Sequence, residues 1–359
     1  MAIITGFPGS NPRLVGTADA DEIYGNSLGN VSGIAGNDRI FGLAGDDLIT
    51  GDGKNILASG RGGNDLIQGG DGDDVIYGDA WNPASDAAGS LFGIGGNDVL
   101  YQNAGIGDLY GDAYIIATGG RGGNDKLYGT GRLVGDSLDT MVSATGGNDL
   151  LDASGASRFS RLHGDTDSSL EGTSTGGNDV LRGSAYDDTL TGDAADYLYN
   201  AARGGNDKLA GNGGTDYMYG DAEDGLYDSS VGGNDVLRGG AEFDSLYGDS
   251  FQLYGFSKGG DDELHGGSGD DDLWGDGELN DDAVGGRDRF HFNGNFGDDV
   301  IYDFRQEDGD QIVLKGVGQA EVTITIDFGD TVITTLGDDS IRLIDFTGSL
   351  TPGVDIIFA

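Results

Sequence analysis

The residues of this chain that could do chemistry are aspartates, and they recur in register. A Gly-Asn-Asp tripeptide ends at Asp38, Asp65, Asp98, Asp125, Asp149, Asp179, Asp207 and Asp235, and a Gly-Asp-Asp variant ends at Asp262. Successive copies lie 24–33 residues apart. Nine residues after several of them stands a second aspartate: Asp47, Asp74, Asp188, Asp216, Asp244 and Asp271. In a coiled chain these positions would stack at the spacing of neighbouring strands, about 4.8 Å. Carboxylates so placed repel one another unless a cation lies between them. A hard divalent ion fits, because Ca²⁺ takes carboxylate and backbone carbonyl oxygens together. The glycines before the Asn or Asp (Gly36, Gly63, Gly96, Gly123, Gly147, Gly177, Gly205, Gly233 and Gly260) would offer carbonyls without side-chain obstruction. With no cysteine and 3 histidines, oxygen is the donor left, which favours multiple Ca²⁺ ions over zinc or copper.

The elements that would position these groups follow from the same spacing. Each motif aspartate precedes a large apolar residue by two: Ile40, Ile67, Leu100, Leu127, Leu151, Leu181, Leu209, Leu237 and Leu264 in the first unit, and Ile49, Ile76, Leu190, Met218, Leu246 and Leu273 in the second. The unit reads Gly-Gly-x-Gly-x-Asp-x-U-x, with U aliphatic: a glycine-rich turn and then a short strand. Two such units are expected to make one coil of a parallel β-helix. The third nonapeptide of each repeat usually lacks the motif aspartate, as in 113–118, 195–200 and 250–255, yet still reads as a strand. With an odd number of units per repeat, successive Gly-Asn-Asp turns would fall on alternate faces, leaving a gap at every third turn and incomplete calcium occupancy. The Gly-Asp pairs opening the third unit (Asp79, Asp112, Asp193, Asp221, Asp249, Asp276) are either substitute ligands or solvated turn residues.

Segments such as Gly122-Gly123-Asn124-Asp125-Lys126-Leu127-Tyr128-Gly129 and Gly232-Gly233-Asn234-Asp235-Val236-Leu237-Arg238-Gly239-Gly240 resemble the haemolysin-type calcium-binding repeats of RTX proteins. The resemblance covers residues 16–286. It implies an all-β fold, a right-handed parallel β-roll (a β-helix solenoid) with calcium between coils, and type I secretion through an ABC exporter. Residues 1–15 would be an N-terminal edge segment, and 287–359 a C-terminal β-rich cap. Within the last segment, Val322–Asp327 and Thr331–Thr335 suggest a hairpin around Phe328-Gly329-Asp330, and Ser340–Phe346 a further strand. A cap of this kind covers the open end of a solenoid. The segment also resembles the C-terminal region of serralysin-type proteases, whose uncleaved export signal ends in an acidic residue and an apolar run, as Val354-Asp355-Ile356-Ile357-Phe358-Ala359 does.

Composition narrows the function classes. The net charge of −44 repels phosphate backbones and anionic membrane surfaces, which excludes electrostatic nucleic acid binding. The 72 glycines follow no three-residue period, so the chain is not collagen-like. No stretch is long enough to span a bilayer, and the N-terminus lacks the features of a cleavable signal. His163, His265 and His291 are scattered, with no His-Glu-x-x-His motif, and are expected at surface positions. Gly25–Gly29 and Gly255–Gly259 match the nucleophile-elbow pattern but lie between no strand and helix. Tyr24, Tyr77, Tyr128, Tyr219 and Tyr247 suggest an outward ladder, explained by cross-strand packing or by sugar stacking. The sequence therefore predicts a secreted calcium-binding protein without an enzyme domain that folds on meeting Ca²⁺ outside the cell, in a structural, surface or host-interaction role. The alternatives are a carbohydrate-binding module and a polysaccharide-modifying enzyme on the same scaffold, either of which would make extracellular polysaccharide a partner.

Overall fold

The computed structural model describes residues 1–7, 9, 12–26, 28–81, 90–337 and 339–359. Among them the chain is β-strand and turn, with a single 3₁₀ turn at Gln319–Glu321. Among the described residues no helix is long and apolar enough to cross a membrane. Ser27, in the first elbow-like match, lies outside the described residues; the second match spans a turn.

The strands stack into a parallel solenoid with three strands per coil. Leu181 pairs with Leu209, Leu209 with Leu237 and Leu237 with Leu264 along one long sheet. Leu190, Met218, Leu246 and Leu273 pair in the same way along a second. Leu198, Leu226 and Leu253 line the third, shorter side. The chain returns to the same strand after one full repeat, so a coil holds three nonapeptide-like units and not two. The reason is visible in the third unit, whose two-residue strands (Ile115–Ile116, Tyr197–Leu198, Gln252–Leu253) each hydrogen-bond to the neighbouring coil and close a third wall. Successive Gly-Asn-Asp turns consequently stack along one edge. The expected alternation of faces and its gaps do not occur.

Strand alternation sends every second residue inward. The inward residues form two separate apolar columns. One lies between the long sheets and includes Ile40, Ile67, Leu100, Leu181, Leu190 and Leu246. The other lies behind the third wall and includes Ile56, Leu91, Leu198, Leu226 and small alanines at the corners, such as Ala194 and Ala222. The chain that joins the two columns carries buried aspartates.

Parallel pairing runs on beyond residue 286, through Arg289–Asn293, Gln311–Lys315 and Ile356–Phe358. There Phe290, Phe292, Phe296 and Phe304 replace the aliphatics and fill the interior. Val322–Asp327 and Asp330–Thr335 pair antiparallel as the hairpin the sequence suggests, and Ser340–Leu343 pairs antiparallel with its second strand.

Candidate metal centre

Three aspartate columns run along the solenoid, one at each corner. The Gly-Asn-Asp aspartates (Asp38, Asp65, Asp98, Asp125, Asp149, Asp179, Asp207, Asp235 and Asp262) form the first, each buried. Each main-chain N–H donates to the carboxylate of the next coil: Asp98 to Asp125 Oδ1 at 2.6 Å, Asp149 to Asp179 Oδ1 at 2.7 Å, Asp207 to Asp235 Oδ1 at 2.6 Å. The column continues beyond the repeats through Asp288, whose Oδ1 receives the N–H of Asp262, and Asp310. Both oxygens of Asp38 are buried without a partner, but one oxygen of each carboxylate after it is held by backbone. The other, Oδ2, is buried without a hydrogen-bond partner in Asp65, Asp98, Asp125, Asp149, Asp179, Asp207, Asp235 and Asp262.

The second column consists of Asp52, Asp79, Asp112, Asp136, Asp165, Asp193, Asp221, Asp249 and Asp276, also buried. These are the Gly-Asp residues that open the third unit. They lie beside the first column across the base of the third wall. Oxygens of Asp38, Asp52 and Asp65 lie within 4.8 Å of one another, as do those of Asp79, Asp98 and Asp112, of Asp112, Asp125 and Asp136, and of Asp165, Asp179 and Asp193. Asp112 belongs to two of these groups, so the acidic line is continuous from coil to coil. Six of these residues are the Gly-Asp aspartates weighed from sequence as substitute ligands; Asp52, Asp136 and Asp165 join them only in the structure. Their signal was a Gly-Asp pair 13 or 14 residues before the next Gly-Asn-Asp aspartate.

Glycine shapes this line on both sides. The N–H groups of Gly63, Gly96, Gly123, Gly147, Gly233 and Gly260 donate to second-column carboxylates at 2.7–2.9 Å; those of Gly177 and Gly205 do so at 3.0–3.1 Å. The carbonyls of this glycine column, from Gly36 to Gly260, run along the axis. A Cβ on Gly63 would lie 1.9 Å from the Gly36 oxygen, and one on Gly233 only 1.5 Å from that of Gly205. Opposite them, a Cβ on Gly51 would meet the Gly78 oxygen at 1.7 Å and Asp65 Oδ2 at 2.1 Å. Only glycine fits, and what surrounds it is carbonyl and carboxylate oxygen.

The nine-residue followers go elsewhere. Asp47, Asp74, Asp188, Asp216, Asp244 and Asp271 form the third column, at the corner between the two long sheets. They repeat the same tether, with Asp188 N–H donating to Asp216 Oδ1 at 2.7 Å and Asp244 N–H to Asp271 Oδ1 at 2.9 Å. The structure does not bring them together with the first column. Between Asp74 and Asp188 this column is interrupted, and Gln102 Nε2 donates to the Gly72 oxygen at 2.8 Å and to Asp74 Oδ2 at 3.3 Å.

Burial holds the carboxyls of Asp65, Asp98, Asp125, Asp179 and Asp235 well above the ordinary carboxylate range, and the charges of neighbouring aspartates push further the same way. Asp38 is raised to about 7 by burial, and Asp112 to about 8 by burial and then by Asp125. Such a line is unfavourable for bare carboxylates. Its ends are relieved: Asn26 stands where an aspartate would extend the second column and donates to Asp52, and at the other end Arg305 reaches Asp276 Oδ2 at 3.3 Å. All-oxygen donors, unpartnered and converging, suit a hard divalent cation.

The expectation of a surface position for His163 is corrected, whereas the tyrosines pack across strands as expected. His163 is buried, its Nδ1 2.9 Å from Asp167 and its Nε2 3.2 Å from Glu223. Tyr24, Tyr77 and Tyr247 are buried too. They belong to a row on one long sheet that Trp81 and neighbouring turns cover, where Tyr219, Tyr247, Trp274 and Tyr302 stack with ring centroids 4.2–5.0 Å apart.

Comparison with known proteins agrees with the repeat. The RTX calcium-binding nonapeptide repeat (4 copies) matches residues 32–62, 57–80, 173–199, 201–226, 230–250 and 256–281. No curated protein matches the chain. The chain thus carries RTX calcium-binding repeats on a parallel β-solenoid.

Proposed function

We propose that the first and second aspartate columns hold a file of calcium ions, and that this binding switches the chain from an expanded to a folded state after export. The observation that carries the reading is the row of buried, unpartnered Oδ2 atoms set among glycine carbonyls, with second-column carboxylates beside Asp65, Asp98, Asp125 and Asp179. The ligands would be Asp38, Asp52 and Asp65, then Asp79, Asp98, Asp112, Asp125 and Asp136, and so on to Asp276, with glycine carbonyls completing each shell. Calcium supplies positive charge between coils that otherwise repel. Every other contribution comes from the chain. The main-chain N–H of the preceding coil fixes Oδ1, glycine excludes side chains from the cradle, and the flanking apolar columns keep water out. Where calcium is scarce, the aspartates repel and the coils have little to close on. Where it approaches millimolar levels, binding free energy becomes folding free energy.

Export by a type I system to an extracellular structural or surface role is the setting this switch suits, and the RTX repeats support it. The aromatic row speaks against the saccharide-binding alternative, because neighbouring rings cover each other's faces. The test is circular dichroism through a calcium titration with chelator reversal. A cooperative gain of β-structure is expected; a chain equally folded in excess chelator would sink the proposal. Removal of residues 300–359 is expected to retain the protein in the producing cell, and unchanged export would refute the secretion reading.

A further inference from the structure

Two of the three histidines stand one over the other on the outer face of a long sheet. Strand Glu263–Ser268 pairs in parallel register with Arg289–Asn293, Glu263 opposite Arg289 and Leu264 opposite Phe290. Leu264 and Phe290 face the core, so Glu263, His265 and His291 share the opposite face. The two imidazoles stack with centroids 4.4 Å apart and planes 15° apart. One ligand atom from each of Glu263, His265 and His291 lies within 4.8 Å of the others. The Nε2 atoms of both rings are shielded from solvent and lack a hydrogen-bond partner.

We propose that Glu263, His265 and His291 form a three-ligand site for a borderline divalent metal such as zinc, separate from the calcium columns. Imidazole nitrogen suits zinc, copper and nickel, whereas the columns offer the oxygen that calcium prefers. The two classes of ion therefore sort by donor type. Zinc–nitrogen bonds of about 2.0–2.1 Å put tetrahedral ligand atoms roughly 3.3 Å apart. Side-chain rotation closes that distance, since the main chain already sets the three groups at neighbouring positions. Three protein ligands leave a fourth position for water or a further ligand. Three basic groups oppose the ion, among them Lys315, whose charge acts on both rings. Arg289 pairs with Glu263 at 3.7 Å, but both side chains are exposed and the contact is long. Arg238, opposite His265 on the preceding coil, sets a positive charge beside the rings.

The tag-free full chain, saturated with calcium, is expected to bind one further equivalent of zinc in equilibrium dialysis. Copper in the same place should give electron paramagnetic resonance with nitrogen hyperfine structure. His265→Asn and His291→Asn should each abolish that equivalent while the circular dichroism of the calcium form is unchanged. Glu263→Gln should weaken it, and Arg238→Gln should tighten it, an effect that loss of packing would not produce. Zinc bound equally by the His265→Asn/His291→Asn double variant, zinc displaced by added calcium, or no zinc bound at all would each overturn the proposal. The calcium reading stands or falls separately, on the chelator experiment.

Discussion

Asn64 and Asp65, neighbours in the chain, hold the solenoid in opposite directions. Asn64 Oδ1 accepts the N–H of Asn97 on the following coil at 3.0 Å, and Asp65 Oδ1 accepts the N–H of Asp38 on the preceding coil at 2.7 Å. The asparagine faces water and the aspartate faces the interior. The same division recurs at Asn178 and Asp179, where Asn206 donates to Asn178 Oδ1 at 3.0 Å and Asp149 to Asp179 Oδ1 at 2.7 Å. The Asn-Asp dipeptide is therefore a two-way clamp, with a neutral half that needs no ion and an acidic half that does.

That division predicts opposite ion dependence for adjacent substitutions. Asn178→Ala removes exposed hydrogen bonds and is expected to cost about 1 kcal/mol alike in calcium and in chelator. Asp179→Asn keeps an acceptor for the Asp149 N–H but deletes a buried negative charge. It is expected to cost on the order of 3 kcal/mol in calcium and to leave the metal-free chain unchanged or more stable. Thermal melts of both variants under both conditions check this. Equal losses for Asp179→Asn with and without calcium would show that the carboxylate is merely a hydrogen-bond acceptor.

The raised carboxyls make the metal-free chain sensitive to pH, with a sign that can be worked out. Burial lifts Asp38 and Asp216 to about 7, and Asp244 to about 8, against about 3.9 in an unfolded chain. The folded state thus binds more protons than the unfolded one. Stability from these groups is complete below the unfolded value and is lost as pH rises from about 4 to about 8. In chelator, lowering the pH from about 8 to about 5 should raise the melting temperature. In calcium the trend should reverse, because protons then compete for the ligand oxygens and the calcium midpoint rises. Metal-free stability that increases with pH would contradict the electrostatic account.

The repeat was legible because its signal is redundant: Leu181, Leu209 and Leu237 each follow a Gly-Asn-Asp by two, and each is buried in register. The number of walls was not legible. Nine-residue spacing suits a two-walled coil or a three-walled one, and what decides is the pairing of two-residue strands such as Tyr197–Leu198 with Gly225–Leu226, which no local pattern announces. Which carboxylate faces each Gly-Asn-Asp aspartate is not legible for the same reason. Asp188 is nearer to Asp179 in sequence than Asp193 is, but it lies one corner away, whereas Asp193, just past the second long-sheet strand Thr189–Thr191, meets Asp165 and Asp179 across the base of the third wall. Burial of His163 is not legible because its half-buried partners, Asp167 and Glu223, include one 60 residues distant.

Glycine is as necessary to the acidic line as aspartate. A Cβ on Gly220 would lie 1.6 Å from the Gly248 oxygen and 2.2 Å from Asp235 Oδ2. Its φ is not in the left-handed region, so the obstacle is space alone. Gly220→Ala must push apart two coils that backbone hydrogen bonds hold together. It is expected to cost about 1–3 kcal/mol through overpacking and to lower the number of calcium ions bound. Gly213→Ala, at a turn where a Cβ meets nothing, should do neither. Isothermal titration of both variants distinguishes a cradle from a generally glycine-dependent turn.

The aromatic row gives way at Val134, His163 and Thr191 to a charged network, and this predicts a pH response of opposite origin. Arg132 reaches Asp108 at 2.7 Å and also pairs with Asp167. Asp167 holds His163 Nδ1, and Glu223 meets both His163 Nε2 and Thr191 Oγ1, each at 3.2 Å. Burial alone would lower the His163 pKa, but the Asp167 and Glu223 carboxylates raise it to about 9. Its stabilisation is therefore present below the unfolded value of about 6.5 and is lost as pH rises through about 9. His163→Ala leaves Asp167 with Arg132 alone and Glu223 with only Thr191 Oγ1. A loss on the order of 3 kcal/mol is expected at pH 7, similar with and without calcium, because no acid column touches the network. The loss should shrink between about pH 6.5 and 9, where the unfolded chain has given up the proton that the folded imidazolium still holds. A cost that stayed constant over that range would mean that His163 contributes packing and not charge.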